Sequence, residues 1–255
     1  MKPLILVSND DGIDAKGVHE LVRSLQHLGE VVCVCPEQPQ SGMSMALTVN
    51  DMLRVKRVED YHGAAMYKVS GTPVDCVKMA VDNLLPRKPD VVVSGINHGS
   101  NAAINVVYSG TMGAAFEGSA YGIPSIGFSL TSHSEDADFS PCLPVIDRLV
   151  KMVLEKGLPE GVCLNVNMPA QVKEYKGIRV VRGCRGRWDD RYDEYRDPAR
   201  RPFYWLAGTF INTEPDNQDT DEWCLEHGIV SVVPVKLDPT YEKIDEVKEL
   251  LGIYG

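Results

Sequence analysis

Five short apolar runs, Leu4 to Ser8, Val31 to Cys35, Val91 to Val93, Ser125 to Leu130 and Val162 to Val166, carry no polar alternation. A strand of that kind is buried on both faces, as in a parallel sheet covered by helices. Between the runs the apolar period changes. Val18, Leu21, Val22, Leu25 and Leu28 repeat at helical spacing, and so do Val77, Ala80, Val81 and Leu84, then Val145, Leu149, Met152 and Val153. A stretch of small residues after Thr111 supplies one more helix. Strand, helix, strand at this rhythm predicts an α/β fold with a doubly wound, mostly parallel sheet and crossover helices on both faces.

The texture changes near residue 175, so the chain divides into a core over 1–175 and a β-rich extension over 176–255 within one structural unit. IRVVRG, WDDRYDEYRDPARRPFYWLAG and GIVSVVPV read as strands joined by charged, aromatic loops, without crossover helices. Three Tyr, two Trp and one Phe crowd between Trp188 and Trp205. They suit a nucleobase platform, or a hairpin whose aromatics pack on a partner subunit or on the core. The second is preferred, because Tyr, Trp and Arg are enriched at interfaces. Ile244, Val247, Leu250 and Leu251 then form the apolar stripe of a short closing helix from Tyr241 to Leu251.

The net charge of −10 argues against a nucleic-acid duplex as main partner, since phosphate backbones require a basic face. A small phosphorylated substrate is compatible with it, because a local pocket and a metal suffice. No stretch approaches the roughly 20 apolar residues of a membrane span. The first residues run straight into a strand with no signal-peptide pattern, and the expected location is cytoplasmic. The seven cysteines, at 33, 35, 76, 142, 163, 184 and 224, contain no CxxC pair and read as small buried apolar residues in a reducing compartment.

Ligands of parallel sheets bind outside the carboxyl ends of the strands. Four loops qualify: Asn9 to Gly12, residues 36 to 44 (PEQPQSGMS), residues 94 to 101 (SGINHGSN) and residues 108 to 118 (YSGTMGAAFEG). In the first, Asp10 and Asp11 are adjacent, and the nearest cation along the chain is Lys16. Like charges side by side raise a carboxyl's proton affinity unless something positive sits between them. Two carboxylates, a Ser hydroxyl and an Asn amide oxygen are hard donors suited to Mg²⁺, Mn²⁺ or Ca²⁺. Ser109, Gly110 and Thr111 lead into a helix, either as an anion site made of free N–H groups or as a plain N-cap. His98 reads as a loop residue facing solvent in preference to a proton donor. Walker-type GxxxxGK[ST], a GxGxxG after the first strand and a GxSxG elbow are all missing.

With these motifs in their order, the chain resembles the SurE family, stationary-phase survival proteins that act as metal-dependent nucleoside monophosphate phosphatases. The likeness rests on SNDDG at 8–12, QSGMS at 40–44, GTPVDCV at 71–77, SGINHGSN at 94–101, YSGTMGAAFEG at 108–118, LNVNMP at 164–169 and DTDEWCLEHGIVSVVPV at 219–235. The resemblance implies one divalent ion per subunit, Mg²⁺ or Mn²⁺, held by Asp10, Asp11, Ser41 and Asn97. It also implies a phosphate site at Ser109, Gly110 and Thr111 with Asn101 nearby. A Rossmann-like core follows from it, with a projecting hairpin and C-terminal segment exchanged between subunits of a homodimer or homotetramer. Pro73 and Asp75 of GTPVDCV read as the start of a helix.

The expected reaction is hydrolysis of nucleoside 5′- and 3′-monophosphates, with Asp10 or Asp11 taking the proton from water. The alternatives are a phosphatase of other small phosphates or short polyphosphates, and a non-catalytic nucleotide sensor.

Overall fold

A computed structural model describes residues 2–170 and 172–253. Its strands are β1 (Leu4–Ser8), β2 (Glu30–Pro36), β3 (Val55–Arg57), β4 (Ala65–Val69), β5 (Val91–His98), β6 (Ser125–Leu130), β7 (Val162–Met168), β8 (Ile178–Val180), β9 (Gly186–Arg196), β10 (Pro202–Asn212) and β11 (Val230–Lys236). Nine form one sheet in the order β3-β4-β2-β1-β5-β6-β7-β11-β8. The six from β4 to β7 run parallel, while β3 and β11 join antiparallel to β4 and β7. β1, β6 and most of β5 are fully buried, as unalternated apolar runs require.

The helices are α1 (Lys16–Leu25), α2 (Pro73–Met79), α3 (Asn105–Tyr108), α4 (Gly110–Ala120), α5 (Leu143–Lys156), α6 (Asp221–Glu226) and α7 (Ile244–Leu251). α1 and α5 cover one face of the sheet, where Val18, Leu21, Val22 and Leu25 meet Val145, Ile146 and Val150 in a core that includes Phe128 and Phe139. α2 and α4 cover the other, with Cys76, Val77 and Ala114 on Leu4, Leu6, Val32 and Val92. α2 starts with Pro73 at its first turn and a capping box. Thr72 Oγ1 accepts the Asp75 N–H at 3.2 Å, and Asp75 Oδ2 accepts the Thr72 N–H at 2.9 Å. Asp75 also accepts the Thr48 hydroxyl at 2.6 Å, fixing the start of α2 to the preceding long loop.

Several boundaries differ from the sequence expectation. α1 stops at Leu25, three residues before Leu28, and α2 passes into a π-helical turn over Ala80–Leu84. β5 continues past Val93 as far as His98. All seven cysteines are free and buried. β9 and β10 form a separate two-stranded hairpin in register from Gly186 opposite Asn212 to Arg196 opposite Pro202. Tyr192, Tyr195, Phe203, Tyr204 and Trp205 on it are 44–70% exposed. The apolar stripe of α7 is exposed too, and the helix begins at Ile244, later than Tyr241. Among the described residues no helix is long and apolar enough to cross a membrane.

Candidate active site

The chain order reverses between β1 and β5, and their carboxyl ends open the crevice where sheets of this class bind ligands. After β1, the Asn9 amide donates to the Gly12 carbonyl at 2.8 Å, and Gly12 takes φ 95°, which its missing side chain permits. The turn sends its two carboxylates into different surroundings. Asp10 is 4% exposed, and its Oδ1 accepts the Thr111 hydroxyl. Asp11 Oδ2 accepts the backbone N–H of His98 and lies 3.1 Å from His98 Nδ1. Burial pushes the Asp10 carboxyl up to about 6, with the Thr111 hydrogen bond pulling it down and the charge of Asp11 pushing it further up.

Lys16 does not neutralise this pair. Its Nζ donates to the Ala137 carbonyl at 2.7 Å, and among the described residues no Lys or Arg forms an ion pair with Asp10 or Asp11.

The Ser41 loop is tied down from both sides. Gln40 N–H donates to the Asp10 carbonyl at 2.7 Å, and the Ser44 hydroxyl donates to the Val107 carbonyl at 2.6 Å. The loop also lies against α4, where a β-carbon on Gly113 would stand 2.1 Å from the Ser44 carbonyl oxygen. Asn97, near the end of β5, donates its amide N–H to the Gly99 carbonyl at 2.8 Å, and among the described residues its Oδ1 has no hydrogen-bond partner. A cleft of about 500 Å³ is lined by Asp10, Ser41, Asn97, Asn101 and Ser109. Asp11 lines the adjoining cleft, and His98 and His133 border both.

This donor set fits a hard divalent cation. Asp10 keeps Oδ2 free while Oδ1 is bonded, Asp11 keeps Oδ1 free, and Ser41 and Asn97 add neutral oxygens. Among the described residues no three of His, Cys, Asp or Glu cluster as ligands, so the neutral oxygens are needed to complete a coordination sphere.

At the start of α4, Ser109 caps the helix by accepting the Met112 N–H at 3.1 Å. Asn101 and Ser109 line the cleft, whereas Gly110 and Thr111 are buried behind Asp10. Thr111 spends its hydroxyl on Asp10 because the first turn of α4 is aimed at the end of β1. His98, expected to face solvent, has a side chain only 15% exposed; its ring stands edge-on to Phe139, 5.0 Å between centroids. The reason is that β5 extends to His98 and carries it into the sheet's rim.

Other residues of the site gave weaker signals in the sequence. Asn165 and Asn167 alternate along β7 and bond the Asn101 loop: Asn167 Oδ1 accepts the Asn101 N–H and Asn165 Nδ2 donates to the Asn101 carbonyl, both at 2.8 Å. Asn101 Nδ2 in turn donates to Ser129 at 2.9 Å. Asp221, fully buried, accepts the N–H groups of Ala103 at 2.7 Å and Cys184 at 2.8 Å, and so joins this loop to the base of the hairpin. LNVNMP and DTDEW contain these residues, and a polar pair alternating on a buried strand is a sign of such a network. Trp188, Phe210 and Glu222, which also line the cleft, come from segments remote in sequence.

Comparison with known proteins agrees with this architecture. The family model described as survival protein SurE matches residues 5–190. Two proteins named 5′-nucleotidase SurE are similar over nearly their whole lengths. That of Phocaeicola vulgatus is 48% identical over 248 residues, 97% of this chain and 96% of the relative. That of Christiangramia forsetii is 51% identical over 242 residues, 94% of this chain and 93% of the relative. The crystal structure of the SurE protein from Aquifex aeolicus superposes with a TM-score of 0.83 at 38% identity, covering 98% of this chain and 100% of that one. With a family model matched over most of its length and relatives near half identical over nearly their whole lengths, this chain belongs to the SurE family.

Proposed function

We propose that this protein is a metal-dependent phosphomonoesterase that hydrolyses nucleoside 5′- and 3′-monophosphates to nucleoside and phosphate. The observation that carries the reading is an adjacent carboxylate pair with which, among the described residues, no Lys or Arg pairs, set beside the N-terminus of an eleven-residue helix at the sheet's switch point. The names of the relatives, 5′-nucleotidase, support the same reaction class.

Asp10, Asp11, Ser41 and Asn97 hold one divalent ion per subunit, Mg²⁺ or Mn²⁺, which supplies Lewis-acid polarisation of the phosphoryl group and activation of water. Asn101 and Ser109 orient the phosphate from the cleft wall. Gly110 and Thr111 act from behind, through the helix N-terminus and through the hydroxyl that fixes Asp10. One of the two carboxylates, Asp10 or Asp11, takes the proton from water. The protein works in the cytoplasm as a homodimer or homotetramer. Its exposed hairpin and α7 support subunit exchange, since a two-stranded hairpin gains little stability alone.

The test is phosphate release from a panel of 5′- and 3′-nucleoside monophosphates, sugar phosphates and short polyphosphates, with Mg²⁺, with Mn²⁺ and after exhaustive chelation. Many turnovers on nucleoside monophosphates, lost on chelation and recovered with metal, are expected. Saturable binding without release would identify a sensor, and a preference for the other phosphates would reassign the substrate.

A further inference from the structure

The cleft continues beyond Ser109. Its outer wall is made by Trp188 and Phe210, directly opposite each other in the hairpin register, and by Glu222. The two rings meet edge to face, 5.9 Å between centroids at 63°. Trp188 is held in place: its indole N–H donates to Asn105 Oδ1 at 2.8 Å, and the Asn105 carbonyl accepts the Ser109 N–H at 3.1 Å. The indole is therefore anchored to Asn105, which lies four residues, one helical turn, before the residue that caps α4, and both Trp188 and Ser109 face the same cleft. Trp188 is 38% exposed, less than the other aromatics that crowd the same stretch, and Phe210 is half-buried.

Glu222 completes the wall. Its side chain is half-buried yet has no hydrogen-bond partner among the described residues, while its backbone N–H donates to Asp221. A carboxyl group in that position offers hydrogen bonds to the polar edge of a heteroaromatic ring, while the indole offers a bicyclic face.

We propose that Trp188, Phe210 and Glu222 form a nucleobase slot, in which a purine stacks on the indole of Trp188 and presents its polar edge to Glu222. The slot rests on the nucleoside monophosphatase reading and adds the residues that select the base. It separates Trp188 and Phe210 from the outer hairpin aromatics, which lie away from the cleft and remain available to a second subunit.

The experiment compares kcat/KM of the full-length, metal-loaded protein for adenosine 5′-monophosphate, uridine 5′-monophosphate and ribose 5-phosphate. In the wild type the order is adenosine, uridine, ribose. In Trp188→Ala the ratio of the adenosine to the ribose substrate falls about tenfold, mostly through KM, the lower range for loss of one base–aromatic stack. Phe210→Ala lowers it less, and Trp188→Phe keeps most of it. As a second readout, unreactive adenosine quenches the tryptophan fluorescence of the wild type. Trp188→Phe, which keeps Trp205 and Trp223, loses that quenching.

Rapid turnover of nucleoside monophosphates with an unmoved ratio in Trp188→Ala would overturn the slot and leave the proposed function standing. If Trp188→Ala does not fold, an unmoved ratio in Phe210→Ala together with undiminished quenching in Trp188→Phe overturns it equally. A wild type that releases no phosphate from any nucleoside monophosphate sinks both.

Discussion

Gly110 packs directly against the Asp10 side chain: a β-carbon on that glycine would stand 2.8 Å from Cβ of Asp10 and 3.0 Å from its Oδ2. The start of α4 and the strand end that carries the carboxylate pair are thus in contact, with no room for a methyl group. Gly110→Ala must push Asp10 out of place, and an offset near 1 Å at a reacting centre costs on the order of a hundredfold in rate. A loss of that size in kcat/KM for phosphate release is expected, with weaker Mn²⁺ binding by calorimetry and a nearly unchanged circular dichroism spectrum. Wild-type rates in this variant would show that Asp10 need not sit where it does.

Asp10→Asn removes a buried negative charge that has Asp11 as its neighbour. In the wild type, saturating Mn²⁺ should raise the thermal midpoint by several degrees, since a ligand that binds only the folded state stabilises it. In Asp10→Asn the metal-free midpoint should be at least as high as in the wild type. The metal-induced rise should shrink or vanish, and kcat should fall by several orders of magnitude. Calorimetric scans with and without metal read both effects.

Asp221 holds two segments through buried hydrogen bonds to the N–H groups of Ala103 and Cys184. Asp221→Ala leaves those donors unsatisfied in a fully buried position, a loss of about 3 kcal/mol in urea unfolding. Because the same carboxylate locates the Asn101 loop, KM should rise as well, which steady-state kinetics on the surviving folded fraction would show.

Glu222 gives the metal-free protein a pH signature. Burial, then the charges of Asp221 and Glu226, push its carboxyl up to about 7 from an ordinary 4.5. The unfolded chain loses this proton near 4.5 and the folded one only near 7. Between those values the folded state binds more protons, so this group makes stability fall as pH rises, and its effect levels off above 7. Glu222→Gln removes that slope. The variant should exceed the wild type by about 2 kcal/mol at pH 8 and match it near pH 4, as urea titrations at several pH values would show.

The parts of the fold that were legible along the chain share a physical cause. β1 and β6 are buried on both faces, so their apolar runs are unbroken, and α1 and α5 bury one stripe each, so their periods show. Strand-end chemistry follows from order alone: Asp10, Ser41, Asn97 and Ser109 each stand just past or at the carboxyl end of an apolar run or at a helix start. The burial of His98 is not legible along the chain, because a strand's last residues lose the apolar signature before they lose their hydrogen bonds. That the Thr111 hydroxyl bonds Asp10 is not legible along the chain, since hydroxyls at helix starts can face either way and only the neighbour decides.

Local pattern, a short-range property, determined the doubly wound sheet, the loops that reach its rim and the hard-oxygen character of the donors there. Tertiary structure alone decided that Lys16 turns toward the Ala137 carbonyl, so that among the described residues no Lys or Arg pairs with the two carboxylates. It also decided that Asp221 bonds Ala103, 118 residues away, and that Trp188, Phe210 and Glu222 close the cleft opened by residues 10 to 109. Those relations depend on which side chains meet after the sheet has twisted and the helices have packed, and no periodicity along the chain encodes a distance across it.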